Sequence, residues 1–208
     1  MSYTYDYFEN VCNLLKNKGF HPKKYLDIGA SLCQTSIIVK KIWPEIDILV
    51  IEADESFEEY YISNKFNYQI KCLGKYNGTT KFYKTKLIEG NSGNSIYREN
   101  TEIYNDDNVI IENKNIYKLD DVLNDTFDFI KIDTQGSELD IIIGGEKIMR
   151  NAKVIITEIS FIDYNINGNS SKDLIQYLEK LGYDYIFPIE NIKIYDKIIQ
   201  QSILFIKK

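Results

Sequence analysis

The sequence predicts an α/β fold: a mostly parallel sheet with helices on both faces and an antiparallel hairpin at the C-terminal end. Three observations carry this. Short apolar runs alternate with segments of helical spacing, the pattern of βαβ units. Several of the apolar runs end in an acid or a glycine, as strands do where they open onto a loop. Near the C-terminus two apolar runs follow each other with no helix between them, which reads as antiparallel.

Phe8, Val11, Leu14 and Leu15 recur at helical spacing, with Gly19 as a stop. YLDIGA, residues 25–30, reads as a strand running into a turn. Thr35 to Ile42 reads as a helix with Pro44 beyond it. IDILVIEAD, residues 46–54, is a second strand, Ser56 to Ile62 a helix, and YQIKCL, residues 68–73, a third strand. TTKFYKTKL, residues 79–87, reads as a strand on a sheet edge, and residues 89–108 as a long polar loop. FDFIKID, residues 127–133, and KVIITEIS, residues 153–160, are apolar strands flanking a helix from Leu139 to Met149, which Gly144 and Gly145 are expected to interrupt. Ser171 to Leu181 is amphipathic and closed by Gly182, and YDYIFPI (183–189) and QQSILFIKK (200–208) are the closing pair. Nothing marks a linker, so residues 1–208 are expected to form one domain.

At 208 residues the chain is long enough for a substantial core. Its 44% hydrophobic and 27% charged content is ordinary for a globular protein. A net charge of −6 argues against a nucleic-acid binder, which needs a basic face. Cys12, Cys33 and Cys72 form no CxxC pair, and His21 is the one histidine, so no zinc site of the Cys/His type is expected. Odd, scattered cysteines suit reduced thiols in the cytoplasm. The N-terminal segment lacks the basic-then-apolar order of a signal peptide, and no run reaches the roughly 20 apolar residues of a membrane span. Nothing in the sequence sets the oligomeric state.

Chemistry concentrates at the strand ends, where open α/β sheets bind ligands. Asp27, Gly29, Ala30, Ser31 and Cys33 form the turn after the first strand. Glu52 ends the second, at roughly the 20-residue spacing that suits an acid on a ribose diol. A dinucleotide turn needs G-x-G-x-x-G, and here those positions are Gly29, Ser31 and Gln34. One glycine of three argues against pyrophosphate. Asp27, Glu52, Asp54 and Asp133 suit a cationic sulfonium instead, so S-adenosylmethionine is the expected ligand. A second constellation follows the 127–133 strand: Asp133 and Gln135 face the same crevice, Ser137 is a candidate N-cap, and Glu138 opens the helix. The converging carboxylates would suit magnesium, but the sulfonium ligand already accounts for them and no metal is expected.

With those residues in view, YLDIGASLCQTS, IEAD, FDFIKIDTQGSELDIIIGG and VIITEIS resemble the FkbM family of S-adenosylmethionine-dependent methyltransferases. The likeness spans roughly residues 24–162 and is most specific in IKIDTQGSELDIIIGG. It implies a Rossmann-like class I methyltransferase sheet and O-methylation, often of sugar hydroxyls. It implies that Asp27, Gly29, Ala30 and Ser31 line the methionine side and that Glu52 holds the ribose. It puts Ala53 and Asp54 near adenine, with Gly74 and Lys75 in a loop beside it. Asp133 and Gln135 would face the methyl group. Asp133, Glu138 and Glu158 are the candidate bases, Asp133 or Glu138 foremost. Cys33 stands where the family has glycine, and its place before a helix raises the question of an activated thiol. The polar loop offers Asn91, Asn94, Ser95, Tyr97 and Arg98 to an acceptor. A methyltransferase acting on a non-sugar acceptor, and a methyltransferase-fold binding protein without activity, both remain open at this level.

Overall fold

The structure is a computed structural model and describes residues 3–87, 93–194 and 196–208. In chain order the elements begin α1 (Tyr3–Asn17), β1 (Lys24–Ile28), α2 (Gln34–Ile42), β2 (Asp47–Glu52), α3 (Glu58–Ser63) and β3 (Asn67–Ile70). β4 (Cys72–Leu73), β5 (Gly78–Thr85), β6 (Val109–Tyr117), α4 (Leu119–Val122) and β7 (Phe129–Ile132) follow. The chain closes with α5 (Glu138–Gly144), α6 (Glu146–Asn151), β8 (Val154–Ser160), α7 (Ser171–Lys180), β9 (Tyr183–Ile194) and β10 (Lys197–Lys207).

The main sheet has the order β3-β2-β1-β7-β8-β10-β9, parallel except for β10, which runs against both neighbours. Helices cover both faces, as the near-continuous apolar strands require. On one face Phe8, Val11 and Leu15 of α1 and Ile38, Val39 and Ile42 of α2 pack on Tyr25, Phe129, Val154 and Ile156. On the other, Ile141 and Ile142 of α5 and Leu174 and Leu178 of α7 pack on Leu26, Ile130 and Ile155. The helical segment from Leu139 to Met149 does break at Gly145, between α5 and α6.

The middle of the chain departs from the sequence reading. The strand read over 68–73 is two: β3 stays in the main sheet, and β4 leaves it after Lys71 to pair with β6. β5 is a sheet-edge strand as read, but its sheet is a second, smaller one, β4-β6-β5. β6 went unread because most of its residues are exposed or half-exposed, so no apolar alternation marks it. Of the polar loop over 89–108, the part from Gly93 on is packed rather than splayed. Ser95 bridges to Tyr83, Glu99 to Asn165, and the Tyr104 side chain is fully buried.

Candidate active site

β1 lies between β2 and β7, and the chain leaves it in opposite directions on the two sides, so a crevice opens at its carboxyl end. The turn that follows is tight. Gly29 has φ 75°, and a Cβ there would sit 1.8 Å from the Asp133 carbonyl oxygen, so only glycine fits. Ser31 (φ 44°) and Cys33 (φ 55°) take the left-handed region without being glycine, and Cys33 starts α2.

A cavity of about 500 Å³ fills this crevice and runs along the strand ends. One end, over β2, is walled by Gly29, Ala30, Ser31, Glu52 and Ala53 with Lys71, Cys72 and Leu73. Phe82 of the small sheet and Asn94, Ser95 and Ile96 of the packed loop also line it. The other end, over β7, β8, β10 and β9, is walled by Lys131, Asp133, Gln135, Glu158, Glu190 and Ser202. Phe8, Ile156, Ile189 and Ile192 add an apolar side.

Hydrogen bonds decide what each acid can do. Glu52 Oε2 accepts from the Ser31 N–H at 3.0 Å, and Oε1 from the N–H groups of Ala53 (2.8 Å) and Asp54 (3.0 Å). Burial pushes its carboxyl above the usual range, against those three donors. Oε2 keeps acceptor capacity toward the cavity.

Gln135, at φ 55°, turns its amide to bridge Asp133 Oδ1 and Glu158 Oε2, both at 2.9 Å. Lys131 Nζ donates to Asp133 Oδ2 at 3.2 Å, and Gln200 Nε2 to Glu158 Oε2 at 2.9 Å. Burial alone would lower Lys131, but Asp133 and Asp27 outweigh it and hold the ammonium above its usual range. Burial, with the charges of Asp133 and Glu138, pushes Glu158 well up.

The model of the methyltransferase FkbM domain matches residues 27–185. The chain belongs to the FkbM methyltransferase family. No curated protein matches it. Among solved structures it is similar to an S-adenosylmethionine-dependent methyltransferase from Clostridium acetobutylicum, with TM-score 0.55, 8% identity, and 99% of this chain and 93% of that one covered. It is similar also to magnesium protoporphyrin IX methyltransferase from Synechocystis with bound S-adenosylmethionine, with TM-score 0.50, 10% identity, and 96% and 77% covered. At those identities the likeness is one of fold.

In this FkbM methyltransferase one cavity gathers Gly29, Ala30, Ser31, Glu52, Ala53, Asp133, Gln135 and Glu158 of the residues singled out in the sequence. Five other expected residues lie outside its wall. Asp27 is fully buried beneath the turn; its Oδ2 accepts from Thr35 Oγ1 (2.8 Å) and Ser36 Oγ (2.6 Å), which ties α2 to β1. Its Oδ1 has no hydrogen-bond partner, with Lys131 Nζ 3.8 Å away. Asp54 is fully buried too and accepts from Ser56 N–H, Lys84 Nζ and Asn94 Nδ2. Burial works to raise its carboxyl, but these donors outweigh it and hold it low.

Gly74 packs its backbone against α5, where a Cβ on Gly144 would sit 2.0 Å from the Gly74 carbonyl oxygen. Lys75 pairs with Asp140 at 3.2 Å on the outside. The loop that reaches the β2 end of the cavity is Lys71–Leu73, just before them. Glu138 turns back rather than toward an acceptor. It accepts from Thr134 N–H at 2.8 Å and Gly136 N–H at 3.0 Å, and burial pushes it up to about 7. It closes the strand-to-helix loop; Ser137 stands at the N-cap of α5 as read, but its hydroxyl makes no cap hydrogen bond and donates to Thr134 Oγ1 at 2.9 Å.

Of the loop residues, Asn91 lies outside the described residues. Asn94 and Ser95 line the cavity. Tyr97 donates to Asp140 and Arg98 binds Tyr104 O and Asp106, so both point elsewhere. Cys33 is fully buried, and burial with the charges of Asp27 and Glu52 pushes its thiol up, so it is a packing residue and not an activated one. His21 is exposed and takes no part.

Asp133, Glu138 and Glu158 bring carboxylate oxygens within 4.8 Å of one another, a spacing a hard cation can use. Each is already supplied with donors, Lys131, Gln135, Gln200 and the loop N–H groups, and no cation is assigned there. Sequence reasoning missed Lys131, Glu190 and Ser202. Lys131 stood in the quoted motif; Glu190 and Ser202 carried no signal, because only strand register brings them to the site.

Proposed function

We propose that this FkbM methyltransferase moves a methyl group from S-adenosylmethionine to a hydroxyl of a sugar, glycan or sugar-containing metabolite. The observation that carries the reading is one cavity joining two ends: a glycine turn facing a strand-end glutamate, and a cluster of carboxylates. The first end fits the cofactor. Gly29 lets the turn close on the Asp133 carbonyl while lining the cavity, and Glu52 offers acceptor capacity to a ribose hydroxyl. Ala53 is small enough for a flat base to lie against it. The acidic end attracts a sulfonium cation.

When bound, the cofactor supplies an electrophilic methyl group. The chain's own residues hold it and the acceptor in line, which supplies much of the rate. Gln135 cross-links Asp133 to Glu158, so the acidic wall is held in one geometry. Carboxylate and amide groups at this end suit the hydroxyls of a polyol. The apolar side, Phe8, Ile156, Ile189 and Ile192, suits an acceptor with an apolar patch beside its hydroxyl, as in a deoxy sugar. We read residues 1–208 as one methyltransferase domain in which the small sheet is an insertion. A cytoplasmic enzyme fits the three buried free thiols. No helix among the described residues is long and apolar enough to cross a membrane. The net charge of −6 disfavours nucleic-acid acceptors.

Calorimetry with S-adenosylmethionine, S-adenosylhomocysteine and NAD tests the cofactor. The first two are expected to bind in the micromolar range and NAD not at all. Glu52→Ala is expected to weaken binding about 10- to 100-fold, the worth of a hydrogen bond to a charged group. Tight binding of NAD, or undiminished binding in Glu52→Ala, would overturn the reading. Transfer of labelled methyl to a panel of methyl glycosides then tests the acceptor.

A further inference from the structure

We infer that Glu190 of β9, far from the family motifs, is the residue that takes the proton from the acceptor hydroxyl. The inference rests on the methyl-transfer reading above and names its base. Four acids stand at or near this end of the cavity, and three are already committed. Glu138 is folded into its own loop by Thr134 and Gly136. Both oxygens of Asp133 are taken, one by the Lys131 ammonium and one by the Gln135 amide. Glu158 receives two amide donors on Oε2, from Gln135 and Gln200, and burial pushes its carboxyl up.

Glu190 differs from all three. The register of the hairpin sets it across β10 from Ser202, and Ser202 is set across from Glu158 on β8. This row points the Glu190 carboxylate into the same cavity. No hydrogen bond holds it among the described residues, so it is open to an incoming hydroxyl. Charged groups face it from β7, Lys131 and Asp133, and from β8, Glu158. The nearby cavity wall from β10 and α1 is uncharged, Ser202 and Phe8. Burial and the Asp133 charge push Glu190 up to about 7, against Lys131. A general base works best with its pKa near the operating pH.

In the step, the acceptor oxygen forms its bond to the methyl carbon as the carbon–sulfur bond breaks. The electron pair of that bond leaves with sulfur, giving a neutral thioether. The hydroxyl proton passes to a Glu190 oxygen and from there to water, so the products are a methyl ether and a released proton.

The full chain with S-adenosylhomocysteine bound is the sample for the first measurement, a carbon-13 titration of its glutamate carboxyls. Glu190→Gln and Glu190→Asp assign the signal. A midpoint near 7 supports the inference; one at the ordinary glutamate value of about 4.3 overturns it. The second measurement is labelled methyl transfer from S-adenosylmethionine to the methyl glycosides. Glu190→Gln is expected to lower kcat about 100-fold or more with the Kd of S-adenosylhomocysteine, which carries no sulfonium, unchanged, and Glu190→Asp to recover part of it. In the wild type, kcat is expected to fall as pH drops below about 7, a fall that Glu190→Gln flattens. A loss under about tenfold, or an equal pH profile in Glu190→Gln, overturns the inference. Failure of S-adenosylhomocysteine to bind the wild type would instead sink the cofactor reading. Absence of any glycoside acceptor would sink the sugar reading, with the titration still deciding Glu190.

Discussion

Gly29 and Glu138 show how little room single residues have at this site. A methyl group on Gly29 would overlap the Asp133 carbonyl and hold a strained backbone. Gly29→Ala is therefore expected to cost more than about 4 kcal/mol of stability and to abolish cofactor binding, read by urea unfolding and calorimetry. Glu138 carries a pH dependence. Its carboxyl rises from 4.5 to about 7 on folding. Below 4.5 it is protonated in both states, and its contribution is fully present. Between there and about 7 the folded state keeps a proton that the unfolded chain releases, so stability falls as pH rises through this window. Wild type is expected to lose about 3 kcal/mol more than Glu138→Gln across that range. Equal slopes in urea titrations of the two proteins would count against this account. The glycine was legible in the sequence, since a strand end followed by glycine announces a turn. The direction of Glu138 was not, because a helix-opening acid reads the same whether it faces a ligand or its own loop.

Among the elements, the small sheet and its packed loop are the part that local pattern did not announce. They are pinned to the site from below. Asp54, just past the end of β2, holds Lys84 of β5 at 2.9 Å and Asn94 of the loop at 2.7 Å. Ser95 Oγ donates to the carbonyls of Thr134 and Gln135 at 2.8 Å each. Among the described residues, Asp54→Ala leaves Lys84, at 17% side-chain exposure, with Glu112 at 3.6 Å as its ion-pair partner. Breaking a buried pair from one side is expected to cost about 3 kcal/mol. Hydrogen exchange is expected to accelerate in β5 and β6 while β1 and β7 keep their protection; uniform exchange in the variant would refute the local pin. From the sequence Asp54 reads as a ligand for adenine, because acids at strand ends look alike. The tie to Lys84 and Asn94, 30 and 40 residues away, is made only by packing.

At the scale of the whole molecule, the cofactor is expected to act as a clamp between the β2 side and the β7 side of the crevice. At about 100 times its Kd, S-adenosylhomocysteine is expected to add roughly 2.7 kcal/mol of stability. For a chain of this size that is a rise in Tm of roughly 5–10 °C, measurable by calorimetric scanning. An unchanged Tm at that concentration would mean that the folded chain does not bind it. The sequence by itself determined the succession of main-sheet strands and helices along the chain, the glycine turn, the Glu52 strand end and the family. These rest on local signals: apolar periodicity, a glycine after a strand, a contiguous motif. Only the tertiary structure decided which acids are spent and which are open. Hydrogen bonds between strands set the register that brings Glu190, Ser202 and Glu158 into one row. That register is a property of pairing between distant segments, and no window of sequence contains it.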